Sequence, residues 1–134
     1  MRDIQMVLER WGVWAASDSS GVDYSPIAAG FKGLLPSNSK SLPMCCDNDG
    51  IIIDAAIGML KKSGRETELE LVMLHYMYDV SKSTIARWKK CSEGKIRNNL
   101  MIAETFIDAC LIMAGVKLEM DEWTHKSIIN EKVA

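Results

Sequence analysis

Apolar residues recur at three- and four-residue intervals along most of this chain, which is the spacing of amphipathic helices. Near the N-terminus the pattern predicts a helix over residues 2–16. The polar stretch SDSSG follows it, and Ser25 with Pro26 then predicts the capped start of a short second helix. A third apolar stripe consists of Ile52, Ala55, Ala56, Met59 and Leu60. No segments pair as candidate strands, so we expect an all-α fold.

A long polar segment, PSNSKSLPMCCDNDG, lies between Pro36 and Gly50. Its content of Pro, Ser, Asn, Asp and Gly predicts a surface loop, and loops of this length are often functional. We expect the carboxylate of Asp47 or Asp49 to cap the helix that follows. No histidine lies near these aspartates or Asp54 in the sequence, which favours capping over a catalytic role.

Residues 66–114 fit three helices separated by two short breaks. The first of them is predicted to end near Tyr78. Ser81 is placed to cap a short second helix over residues 82–89, and Ser92 is placed to cap a long third helix. The arrangement predicts a compact multi-helix domain that contains a helix-turn-helix with a long third helix.

The junction between the second and third of these helices has the side chains that a helix-turn-helix needs. Ala86 is small enough for the two helices to cross closely, Cys91 can fill the turn, and Ile96 can bury the inner side of the third helix. Polar side chains remain on the outer side of that helix. Lys and Arg can pair there with guanine, and Asn with adenine, in the major groove of DNA.

Charge is concentrated at this junction. Residues 81–99 carry six basic side chains and one acidic side chain, a local charge of +5, whereas the whole chain has a formal net charge of -2 and a pI of about 5.7. An acidic chain of this kind does not coat nucleic acid or anionic membrane in general. The pattern favours one localised DNA contact, and the alternative is a solvated, lysine-rich face of a helical core.

The overall composition adds exclusions. The 134 residues, 48% of them hydrophobic, suffice for one core. The charged start MRDIQMVLER and the absence of an apolar run of about 20 residues predict a cytoplasmic protein without a membrane span. The four cysteines form no CxxC pair, so we expect free thiols, no metal site and no cofactor. No acid, base and nucleophile converge in the pattern, so no enzymatic activity is expected.

The junction resembles the region 4 type of helix-turn-helix of sigma factors. The segment 92–96 has the pattern Ser-x-Gly-x-Ile, and Leu100 and Ala103 follow at the matching positions. Sigma domains usually carry Leu where this chain has Lys89. Either Trp88 fills that volume or the second helix is rotated.

Four segments together resemble the antitermination protein Q family of lambdoid bacteriophages: MRDIQMVLERWGVWAA, SPIAAGFKGLL, MCCDNDGIII and the helix-turn-helix. The resemblance covers residues 1–121, which implies one domain with the helix-turn-helix at about 66–114, followed by a C-terminal tail over 122–134. It implies a protein that binds a site in phage late promoter DNA and loads onto paused bacterial RNA polymerase with sigma still attached. Some members resemble a ring that narrows the RNA exit channel, so that terminators are read through.

The resemblance also implies roles for individual positions. Candidates for DNA contacts at the start of the third helix are Ser92, Glu93, Lys95, Arg97 and Asn98. Candidates for phosphate contacts are Lys82, Lys89 and Lys90. For polymerase we consider the N-terminal helix with Trp11 and Trp14, and the loop from Pro36 to Asp49. The spacing of the two tryptophans favours core packing over a polymerase contact.

Two other classes of function remain open. One is a plain helix-turn-helix transcription regulator that never contacts polymerase, and the other is an RNA-binding protein that uses the same basic helix. The long third helix offers Met101, Phe106 and Met113, more apolar area than a small domain needs, so self-association on DNA is a further expectation. In each case we expect the protein to act in the bacterial host cytoplasm.

Overall fold

The computed structural model describes residues 2–17 and 43–124. Within these ranges the regular structure is helical and contains no β-strand, which confirms the all-α prediction. The α-helices are α1 (Ile4–Ala15), α2 (Asp47–Lys62), α3 (Glu66–Val72), α4 (Lys82–Lys89) and α5 (Glu93–Met113). A π-helical turn, Met73–Met77, continues α3, and a 3-10 helix, Glu119–Glu122, follows α5. The helix predicted at Ser25–Pro26, residues 36–42 of the predicted loop and residues 125–134 of the predicted tail lie outside the described residues.

The long helix α5 lies at the centre of this arrangement, because α1, α2, α3 and α4 all pack against it. Its inward side chains recur every three or four residues and therefore line one side of the helix. They are Ile96, Leu100, Ala103, Ile107 and Leu111, all buried. They belong to one hydrophobic cluster that includes side chains from every other α-helix of the described structure.

Helix α1 is amphipathic, as its sequence pattern predicts. The side chain of Asp3 caps it by accepting a hydrogen bond from the N–H of Met6 at 3.3 Å. The rings of Trp11 and Trp14 are buried, which confirms the core-packing interpretation of both tryptophans. The indole N–H of Trp14 donates to Asp47 at 2.9 Å, so this ring also joins α1 to the start of α2.

The start of α2 differs from the prediction. Its N-cap is Cys46, whose sulfur accepts from the N–H of Asp49, and the helix already begins at Asp47. The expectation that Asp47 or Asp49 caps this helix was wrong, and the end of the predicted loop is helical. The reason is non-local: the carboxylate of Asp49 accepts from the N–H groups of Glu119 and Met120 at 2.8 and 3.1 Å and so caps the 3-10 helix instead.

The apolar stripe of α2 is also rotated slightly from the predicted one. Ala55 and Met59 are exposed, although both were expected on the inner side. The buried side chains are those of Ile53, Ala56, Ile57 and Leu60. Apolar residues lie around more than half of the circumference of this helix, so their spacing alone does not determine which of them face the core.

Residues at the start of the predicted tail pack on the helical body. The N–H of Asp3 donates to the carbonyl of Thr124 at 2.5 Å, and Thr124 is buried. The guanidinium of Arg10 lies 4.0 Å from the ring centroid of Trp123, in a cation–π contact. These contacts join the beginning of the tail to α1.

The crossing of α1 with the π-helical turn depends on Gly12. A Cβ built at this position would lie 1.9 Å from the carbonyl oxygen of Tyr76, far inside van der Waals contact. The two backbones can therefore approach this closely only with glycine here. A π-helical turn inserts one extra residue into a helix, and this one places the Tyr76 carbonyl against α1.

We therefore expect Gly12→Ala to lower the free energy of unfolding by about 1–3 kcal/mol, the range for overpacking a core. Gly58→Ala is the matched control, because a Cβ at Gly58 in the interior of α2 would meet nothing within 4 Å. This control should stabilise the protein by about 0.5–1 kcal/mol, since alanine has the higher helix propensity. Urea denaturation measures both. Equal unfolding midpoints for the two variants would contradict the close crossing.

Candidate nucleic-acid interface

Helices α4 and α5 are joined by a short turn, Lys90 to Ser92. Ser81 caps α4 by accepting from the N–H of Thr84 at 3.2 Å, and Ser92 caps α5 by accepting from the N–H of Lys95 at 3.1 Å. Lys90 adopts a left-handed conformation with φ of 55°, which ends α4. The bounds of α4 and both caps confirm the sequence prediction for this segment.

Packing within the turn also follows the prediction. Ile85, Ala86 and Ile96 are buried, and Cys91 is half-buried against the core. The N–H of Cys91 donates to the carbonyl of Ala86 at 3.0 Å and fixes the turn to α4. Trp88 packs against the core, which favours the first of the two explanations for the absence of a leucine at Lys89. The specific likeness to sigma region 4 stays a prediction.

The first turns of α5 present the candidate base-reading side chains to solvent. Lys95, Arg97 and Asn98 are exposed, as is Ser92 at the cap. A Cβ at Gly94 would meet nothing within 4 Å, so the space above this turn is open. The structure thus brings these predicted side chains together on the outer face of one helix start.

The candidate Glu93 has a partner on the same helix. Its carboxylate forms an ion pair with the guanidinium of Arg97, one turn further along α5. The side chain of Arg97 is 62% exposed and that of Glu93 35% exposed, so the pair lies at the surface and contributes little to stability. Its consequence is geometric, since Glu93 restricts where the Arg97 guanidinium points.

The three candidate phosphate-binding lysines differ in their surroundings. Lys90 is exposed, and Lys82 is half-buried at the first turn of α4. Lys89 is half-buried and forms a salt bridge with Glu70 of α3. The Glu70 carboxylate offsets the charge of Lys89, so Lys89 is the least suited of the three lysines to bind a phosphate. Contact between these three lysines and DNA phosphates stays a prediction.

The remainder of α5 is fixed by a buried polar contact that the sequence did not indicate. Glu104 is only 5% exposed, its carboxylate accepts from the hydroxyl of Tyr76 at 2.5 Å, and Gln5 donates to it at 3.3 Å. Burial, followed by the contact with Glu104, raises the pKa of the Tyr76 hydroxyl. The phenol therefore stays protonated as a donor, and the bond ties α5 to the π-helical turn.

A second polar cluster lies away from the helix-turn-helix. The sulfur of Cys46 and the carboxylates of Asp49 and Glu119 lie within 4.8 Å of one another, a set that could in principle hold a metal ion. Each group already has a hydrogen-bond partner: Asp49 accepts from two backbone N–H groups, and the thiol of Cys46 donates to Glu119 at 3.1 Å. The cluster therefore acts as a clasp between α2 and the 3-10 helix. Glu119 is about 70 residues distant in sequence, so spacing could not reveal it.

The two adjacent thiols of this region are poor nucleophiles. Burial, together with the charge of Asp49, raises the pKa of Cys45 to about 12. At Cys46 the bond from the Asp49 N–H favours the thiolate, but burial and the Glu119 carboxylate outweigh it and raise its pKa as well. Both thiols are therefore protonated at neutral pH, and reactivity requires the thiolate.

An ion cluster joins the two ends of the described chain. Arg2 forms salt bridges with Asp121 at 2.8 Å and Asp108 at 3.5 Å. The hydrogen bond to Asp121 is the main cause of the raised pKa of Arg2. The two carboxylates pair with one guanidinium, so this ion cluster stabilises the contact between the residue preceding α1, helix α5 and the 3-10 helix.

Among the residues that the structure describes, no helix is long and apolar enough to span a membrane. The described fold is all-α, and α4, the turn Lys90 to Ser92 and the start of α5 together carry a basic surface. The family model of phage antitermination protein Q matches residues 1–119. The chain belongs to this family of phage transcription antitermination proteins, which confirms the resemblance inferred from the sequence.

Individual relatives support the same assignment. The chain is 51% identical over 120 residues to a probable antitermination protein Q of Acyrthosiphon pisum secondary endosymbiont phage 1, which covers 90% of this chain and 81% of the relative. It is 42% identical over 128 residues to antitermination protein Q of Escherichia phage 933W, and the match spans 96% of this chain and 88% of the relative. It is 45% identical over 121 residues to the prophage antitermination protein Q homolog QuuD of Escherichia coli K12, covering 90% and 94%. No solved structure matches the chain.

The cap at Ser92 yields a test of the helix start. We expect Ser92→Ala to lower the free energy of unfolding by about 1 kcal/mol, because the N–H of Lys95 loses its acceptor. Ser92→Asp is the matched control, since a carboxylate accepts the same bond and favours the positive end of the helix. Urea denaturation should give the control the stability of the natural protein. A loss as large as that of Ser92→Ala would contradict the capping role.

Proposed function

We propose that this protein is a late-gene antitermination factor that binds duplex DNA at a phage late promoter through the first turns of α5. The observation that carries the proposal is the outer face of that helix start, where Lys95, Arg97 and Asn98 are exposed together. These are the side-chain types that pair with guanine and adenine in the major groove. Membership of the antitermination protein Q family supports the assignment.

Charge supports duplex DNA as the partner. The segment 81–99 carries a local charge of +5 within a chain of net charge -2. Lys90 lies in the turn just before the helix start, Lys82 lies in the first turn of α4, and both are suited to phosphates beside the groove. Lys89 would contribute less because Glu70 offsets its charge. The N-terminal end of α5 adds a partial positive charge at the same place.

We further propose that the DNA-bound protein loads onto paused RNA polymerase that retains sigma, and narrows the RNA exit channel so that terminators are read through. The family to which the chain belongs supports this step. Of the surfaces considered for polymerase, α1 offers no tryptophan, because Trp11 and Trp14 are buried. The described end of the polar segment offers the exposed Met44 and Asn48, which makes this region the better candidate.

A plain DNA-binding regulator that never contacts polymerase is the second candidate, and the helix-turn-helix by itself favours it equally. An RNA-binding protein that uses the same basic helix is a third. Self-association on DNA stays a prediction: Met101 and Met113 are exposed on α5, whereas Phe106 is half-buried beneath the guanidinium of Arg65.

The DNA contact is tested with Lys95→Ala combined with Asn98→Ala. The duplex for this test is one that the natural protein selects from a pool of random sequences. Each lost base contact should weaken binding to it by about 1–3 kcal/mol. Circular dichroism should show that the variant still folds. Lys117→Ala, which removes an exposed charge beyond the end of α5, is the control and should bind like the natural protein. Unchanged affinity of the double variant in a gel-shift assay would remove the assignment. Preference for RNA over a duplex of equal length would favour the third candidate.

Antitermination requires more than binding. In a purified transcription system with the cognate late promoter, adding the protein should raise read-through of a downstream terminator. The Lys95→Ala and Asn98→Ala double variant should lose this effect, because loading is expected to start from the DNA site. Specific DNA binding without any rise in read-through would leave the plain regulator as the correct function.

A further inference from the structure

The outer face of α5 changes from polar to apolar one turn after Asn98. Met101 is 58% exposed and Ile102 is 40% exposed, although both belong to a helix whose inner side is part of the core. Large apolar side chains on a face that otherwise carries Lys95, Arg97 and Asn98 need an explanation, since an exposed apolar patch commonly marks a contact site.

Helical spacing places Met101 beside the candidate base-reading side chains. It follows Asn98 by three residues and Arg97 by four, so the three side chains are neighbours on one face. At a rise of 1.5 Å per residue, Met101 lies about 12 Å along the axis from Glu93. A recognition helix lies in the major groove with its N-terminal residues on the base edges, so Met101, one turn beyond Asn98, would still lie within the groove.

The bases offer one apolar group in the major groove, the C5-methyl group of thymine. We propose that Met101 contacts a thymine methyl group and so determines part of the DNA specificity of this protein; the proposal rests on the DNA binding proposed above. An unbranched thioether adapts its shape to such a contact more readily than a branched side chain. Met101 is also more exposed than Ile102, which makes it the better placed of the two.

Charge argues for DNA as the occupant of this surface. Met101 and Ile102 directly follow the basic segment 81–99, with Lys95 and Arg97 within two turns of Met101. A second copy of the chain docked through the same face would bring two like-charged surfaces together, which is unfavourable. A duplex brings negative phosphates to the cations and a methyl group to the methionine at once.

The test replaces single thymines with deoxyuridine in the duplex that the protein selects from a random pool, because this change removes only the methyl group. At one position within the selected site, the natural protein should lose about fourfold in affinity, the effect of one buried methyl group. Met101→Ala should bind the thymine duplex about as weakly as the natural protein binds the deoxyuridine duplex. This variant should show no further loss when the methyl group is absent.

Met113→Ala is the matched control. Met113 is 88% exposed on the same helix but lies about 18 Å further along its axis than Met101. This control should retain the full fourfold sensitivity to deoxyuridine. Circular dichroism confirms that both variants fold.

Two results would overturn the proposal, and they have different meanings. At every thymine position, deoxyuridine could reduce the affinity of Met101→Ala as much as it reduces the affinity of the natural protein. In that case Met101 contacts no thymine methyl group, although the DNA-binding function stands. If the protein enriches no duplex sequence at all, the proposed DNA binding fails and the role of Met101 fails with it.

Discussion

The structure depends on one constraint: α5 must contribute one side to the core and keep its first turns exposed at the same time. Its inner side packs against α1, α2, α3 and α4, and its first turns carry the cluster of exposed basic and amide side chains. One helix over Glu93–Met113 is continuous across both regions. The start of α5 is therefore held by the packing of the buried side of the same helix, which limits how far its exposed side chains can move.

Several unusual features of the fold hold α5 in place. The carboxylate of Glu104 is buried within the helix and accepts from the hydroxyl of Tyr76, and such a bond costs more to break than it contributes while intact. Tyr76 lies in the π-helical turn that crosses α1 at Gly12. Beyond the end of α5, Asp49 caps the 3-10 helix. The first two of these contacts fix the middle of α5 against the π-helical turn and α1, while the acidic remainder of the chain limits non-specific attraction to nucleic acid.

Local sequence patterns were sufficient to predict the segment from α4 to the start of α5. The bounds of α4 and the caps at Ser81 and Ser92 follow from residue types within a few positions of one another, so the sequence was sufficient there. Prediction failed where the partner is distant. Asp49 has the composition of a helix cap, but its partners are about 70 residues away, and nothing in the pattern around Glu104 distinguishes it from a solvent-facing glutamate. The candidate DNA surface was predictable from charge, whereas the pairing of Lys89 with Glu70 was not.

The most direct test of the central claim is an NMR titration of the isotopically labelled full chain with the duplex that it selects. We expect the largest changes in backbone amide shifts between Lys90 and Met101. The amides of the last turns of α5, up to Met113, should stay unchanged because they lie at the opposite end of the helix, about 18 Å along its axis from Met101. Largest changes in α1, or around Asp49 and Glu119, would contradict the placement of the DNA interface at the start of α5.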